Sequence, residues 1–150
     1  MTEFVSFPST SDRHDLPFLI AGQAQKEYFV NEALARIDML LHPVVEGELS
    51  DPPAEPAVGV CYIVGTGAGG AWADETASIA GWDGTQWTFV KPAYGMAAFD
   101  RSIGQSKFFK GSWAASPGPE EPAGGEIIDT QARDAIANIL VALRIAGIIS

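Results

Sequence analysis

The chain has 150 residues, 47% of them hydrophobic, and its 19 acidic residues against 9 basic ones give a net charge of -10. That is enough apolar material for one ordinary core, and the negative charge argues against nucleic-acid or anionic-membrane binding, which depends on Lys and Arg displacing counterions. No apolar run reaches the roughly 18 residues of a membrane helix, and the N-terminus lacks the basic-then-apolar layout of a signal peptide, so the expectation is synthesis in a cytoplasm without membrane insertion.

Residues 1–15 carry no period that persists and read as an N-terminal arm whose two phenylalanines, Phe4 and Phe7, suit a neighbouring subunit. His14 lies beside Asp12 and Asp15, but an arm gives no scaffold to hold a catalytic or metal cluster, so this is read as a solvated polar patch. Residues 16–44 form the first helical unit. From about Gln23, the residues Val30, Leu34, Ile37 and Leu41 recur at helical spacing, widened by Ala33 and Leu40, and predict a helix packing on the sheet. Pro43 ends it, because proline has no amide hydrogen and disfavours helix in the residue before it.

Residues 45–114 read as an antiparallel β domain. It opens on a connector made extended by Pro52, Pro53 and Pro56. Short runs rich in β-branched and aromatic residues follow at Val60–Val64, Ser78–Trp82, Trp87–Val90, Gly95–Phe99, Lys107–Phe109 and Ser112–Ala114, which predicts a meander. Hairpin turns are marked by Asp83-Gly84 between Trp82 and Trp87, by Lys110-Gly111 between Phe109 and Trp113, and by Asp100–Gly104. Cys61, the single cysteine, excludes an internal disulfide and reads as an inert buried thiol among Val60, Tyr62, Ile63 and Val64. Gly65-Thr66-Gly67-Ala68-Gly69-Gly70 matches a dinucleotide-loop pattern, yet Ala71–Ser78 is too short for the helix such a loop opens, so it reads as a surface loop.

Residues 115–126 are a Pro/Gly linker, and residues 127–150 hold a second helix, capped by Asp129 or Thr130 at its start and by Gly147 at its end. The apolar residues Ile136, Ile139, Leu140 and Leu143 of this helix repeat as in a coiled-coil seam and predict oligomerisation or docking. The expected class is therefore α+β: an N-terminal helix, a small antiparallel meander, a linker and a C-terminal helix. No catalytic, cofactor or metal residues emerge. Trp72, Trp82, Trp87 and Trp113 are expected mostly in the core, and any left exposed would offer a platform to a sugar ring or a partner protein.

Leu16-Pro17-Phe18, Gly22-Gln23-Ala24-Gln25-Lys26-Glu27, Asn31-Glu32-Ala33-Leu34, Tyr62-Ile63-Val64-Gly65, Gly70-Ala71-Trp72-Ala73 and Ile79-Ala80-Gly81-Trp82 resemble an uncharacterised domain of phages, prophages and gene transfer agents of alphaproteobacteria. The resemblance, over about residues 16–113, implies a virion structural protein, assembled in the bacterial cytoplasm, that forms or anchors a head spike or tail fibre. It implies as partners other copies of the chain and further virion proteins. The polar turn running from Gln23 through Gln25 to Asn31 is not required for core packing, so Gln25 and Asn31 join Phe4, Phe7 and the C-terminal stripe as expected oligomer contacts. A carbohydrate-binding module for host polysaccharide is the second expectation, and a small hydrolase the third.

Overall fold

The computed structural model describes residues 9–11, 14, 16–19, 22, 24–124 and 129–150. Phe4 and Phe7 lie outside the described residues. Helix α1 spans Lys26–Leu41, and eight short strands follow: β1 Val44–Val45, β2 Glu48–Leu49, β3 Cys61–Val64, β4 Ile79–Trp82, β5 Trp87–Val90, β6 Ala97–Asp100, β7 Gln105–Phe109 and β8 Trp113–Ala115. Helix α2 closes the chain at Thr130–Ile145. The class is α+β, as expected.

The strands form two four-stranded sheets rather than one meander. One has the order β1-β6-β7-β8 and the other β2-β3-β4-β5. Each contains an antiparallel three-strand meander, and the hairpins fall where the turn residues put them: Trp82 pairs with Trp87, and Phe109 with Trp113. In the first of these turns the Asp83 carboxylate accepts from the amides of Thr85 and Gln86 at 2.7 and 2.8 Å. This is the local bonding for which Asp is favoured in turns.

What the sequence pattern did not indicate is the fourth strand of each sheet. The start of the connector, Val44–Leu49, supplies β1 parallel to β6 and then β2 parallel to β3. Between them Gly47, at φ +155°, lets the segment pass from one sheet to the other. Two-residue strands carry too little pattern to announce themselves.

Alternation along the strands gives the second sheet two apolar faces. Ile63 and Ile79 point to one side, where they join Val45, Met96 and Ala98 of the other sheet, with Phe109, Trp113 and Met39 and Leu40 of α1 packed against them. Val64 and Ala80 point to the other side and pack with Trp72, which a single 3-10 turn at Gly70–Trp72 folds over the sheet, and with Tyr62, Trp87 and Phe89. The two sheets therefore share one core, and the second is also covered on its outer face.

Helix α1 meets the core through only part of its expected stripe: Leu40 packs there and Val30 and Ala33 are half-buried, but the rest of the stripe is open. None of its residues is fully buried, and Leu34, Ile37 and Leu41 of the predicted packing stripe are 57%, 36% and 77% exposed. Its core contacts come from Leu40 of that stripe and from Met39 beside it. The period showed which residues share a face but not how much of that face the sheet covers.

Helix α2 has the predicted ends. Asp129 accepts from the amide of Ala132 at 2.9 Å, and Gly147 adopts φ +65° while the Ile148 amide donates back to the Leu143 carbonyl at 3.0 Å. The residues after it return to the body. The Gly147 carbonyl accepts from the Ser106 amide at 2.9 Å, and Ile149 bridges to Ser116. The linker is also held to the helix, since Arg133 donates to the carbonyls of Pro122 and Gly124.

Candidate functional site

The expected oligomer contacts of α2 divide between two sides. Leu140 is 4% exposed and Leu143 half-buried, so these serve the chain's own packing, while Ile136 and Ile139 stand 42% and 57% exposed. Gln25 is exposed at the start of α1 in a left-handed conformation. Asn31, six residues further, lines a cleft between α1 and β5.

The four tryptophans also divide. Trp72 is fully buried, its ring edge-on to Trp87 at 5.0 Å between centroids. Trp113 packs on Phe109 and donates its indole Nε1 to the Ala77 carbonyl at 2.8 Å. Both are framework. Trp82 and Trp87, only 5.0 Å apart and half-buried, border two hollows of the surface.

The larger hollow is the α1–β5 cleft, about 760 Å³ in volume. Tyr28, Asn31 and the Glu32–Arg36 pair come from the helix, and Gln86, Trp87 and Lys91 from the strand and its turn. Glu32 and Arg36 stand one helical turn apart, 2.7 Å between charged atoms, which offsets the guanidinium charge within the wall. Asp83 at the rim is held below the usual carboxylate range by the amides of Gln86 and Thr85. The smaller hollow, about 390 Å³, is more apolar and is bordered by Met39, Cys61 and Trp82. Burial, with the nearby carboxylates of Asp38 and Glu46, pushes the Cys61 thiol up from its ordinary value. A thiol so protonated is a poor nucleophile at neutral pH.

A third polar cluster joins the sheets. Lys107 reaches Asp100 and Glu48, each at 3.0 Å, and Asp100 also accepts from the amide and hydroxyl of Ser102 at 2.9 and 2.6 Å. Burial raises the Asp100 carboxyl, but Ser102 and Lys107 outweigh it and leave it below its ordinary value. The Lys107 ion pairs hold β2 to β6 and β7, which makes this cluster a structural joint.

The glycine-rich segment follows β3, but no long helix opens after it. Gly65 donates to the Leu49 carbonyl at 2.7 Å and Gly69 to that of Ser50 at 3.2 Å, so the loop is pinned to the connector. Among the described residues no three His, Cys, Asp or Glu side chains gather as a metal site, and no helix is long and apolar enough to cross a membrane.

The cleft was only partly legible in the sequence. Asn31 was marked by polarity that the core did not require, but Arg36, Gln86 and Lys91 gave no signal, because their meeting depends on how α1 lies against β5. No curated protein matches the chain. A family model matches residues 30–114, from within α1 to β8 and more than half of the chain, so the protein belongs to the family described as "Protein of unknown function (DUF2793)".

Proposed function

We propose that the chain is a non-enzymatic structural protein of a phage or gene-transfer-agent virion, which forms or anchors a head spike or tail fibre by assembling with its own copies and with other virion proteins. The observation that carries this reading is the outward apolar stripe of α1, where Leu34, Ile37 and Leu41 stand exposed while Met39 and Leu40 pack on the core. Exposed leucines singly mean little, but a continuous helical stripe marks an interface. Ile136 and Ile139 of α2 add a second uncovered patch. The resemblance of the Gly22–Glu27 and Asn31–Leu34 motifs to virion-associated domains supports the same reading.

Assembly then follows from burial. Each apolar face leaves water only when subunits meet, and several modest contacts act together once the first has formed. Light scattering on the full chain and on a Leu34→Lys, Leu41→Lys variant tests it. The reading expects an oligomer that falls to a monomer with the fold intact. A full chain that stays monomeric at high concentration and fails to label particles in immunogold microscopy would sink it.

A further inference from the structure

The α1–β5 cleft is not used by the assembly reading, and its chemistry selects a ligand. Its volume of about 760 Å³ falls within the range of small-molecule sites. One wall is a fixed aromatic face: Trp87 is held by Trp72 and Trp82, each 5.0 Å away, and by Tyr62 at 6.3 Å, so its ring is positioned before any ligand arrives. The opposite wall brings Tyr28, which is largely exposed, and the Asn31 amide.

The charged groups of the lining are mostly satisfied within the protein. Glu32 pairs with Arg36, Glu75 accepts from the Ser78 hydroxyl at 2.9 Å, and Asp83 accepts three hydrogen bonds from its own turn. Among the described residues, what remains for a ligand is the rings of Tyr28, Trp87 and Phe89, the His14 imidazole with its buried, unpartnered Nδ1, the amides of Asn31 and Gln86, the Thr88 hydroxyl and the Lys91 ammonium. A polyanion would meet, among the described lining residues, Lys91 as the one ammonium, with the Arg36 guanidinium already paired to Glu32, on a chain of net charge -10. A purely apolar ligand would strand the amide and hydroxyl groups without partners. A sugar ring fits both features, since its C–H face stacks on an aromatic ring while its hydroxyls both give and accept hydrogen bonds to amides.

We propose that the cleft between α1 and β5 binds an uncharged saccharide, with Trp87 as the fixed platform and Tyr28 and Asn31 as the contacts from the helix. The test is a titration of the full chain with neutral hexaoses of glucose, galactose, mannose and N-acetylglucosamine, followed by the NMR signals of the Trp87 indole and the Gln86 amide. At least one hexaose is expected to bind saturably with a Kd on the order of 1 mM. Tyr28→Ala is expected to weaken that binding about tenfold, the worth of one stacked ring, and Asn31→Ala to weaken it also, both with an unchanged melting temperature. Trp87 is left intact because its ring is part of the packed cluster. Absence of any shift with all four hexaoses overturns the proposal, as does binding that survives both substitutions. Loss of oligomer mass in the same variants with no saccharide effect overturns it too, in favour of a protein contact, and leaves the assembly reading standing.

Discussion

The indole Nε1 of Trp113 donates to the backbone carbonyl of Ala77 across 2.8 Å, tying the last strand of one sheet to the turn that leads into the other. Trp113→Phe keeps an aromatic ring against Phe109 but leaves that carbonyl without its donor. The expected loss is about 1–2 kcal/mol, read as a lower urea midpoint at unchanged slope.

The Lys107 joint predicts a pH profile. The Asp100 carboxyl lies below the ordinary aspartate value of 3.8, so the stability it contributes is present above that pH and is lost as pH falls through the lower folded value. For Lys107, burial lowers the value, but the carboxylates of Glu48 and Asp100 outweigh it and leave the ammonium above the ordinary 10.5. Its contribution is therefore present below pH 10.5 and lost as pH rises through the higher folded value. Asp100→Asn at neutral pH should cost on the order of 2 kcal/mol, because it removes the charge partner of Lys107 at a buried position, and should flatten the acid limb of a plot of urea midpoint against pH.

Gly147 predicts a localised effect. A Cβ there would stand 2.9 Å from Phe99 Cε2 and 3.0 Å from the Gly104 carbonyl, at a φ that L-residues avoid. Gly147→Ala should cost about 1–2 kcal/mol from the backbone alone. Hydrogen exchange should locate that loss in the last turn of α2 and in residues 147–150, leaving the β3–β4–β5 amides as protected as before.

Cys61 should be slow toward Ellman's reagent at pH 7–8 in the native protein and should react at once in urea. Rapid native reaction would contradict the raised thiol value that burial and the neighbouring carboxylates produce.

These particulars also show how far the sequence could be read. Trp82–Trp87 and Phe109–Trp113 were legible as hairpins because turn chemistry is local, decided by residues such as Asp83 and Gly111 within a few positions. The α2 ends were legible for the same reason, through Asp129 and Gly147. The inward side of α1 was legible only in part, through Leu40, since periodicity reports which residues share a face and is silent about what the face meets. Leu34 and Met39 have equal claims to a core by composition, and only tertiary packing separated them. The cleft was hidden because Asn31 and Gln86 lie far apart in sequence. Strands β1 and β2 were hidden because their partners are β6 and β3, and the first of these lies more than fifty residues away.

The crossing of Val44–Leu49 from one sheet to the other bears on how the chain reaches its native state. Neither sheet has all its strands until this segment is in place, so the two sheets should melt in one transition. β1 also waits for β6, which leaves the ribosome much later, and pairing over such a separation is slow to form. Until Phe99 and Asp100 have emerged, the nascent chain holds half of a shared core, and that interval is when it is most exposed to aggregation.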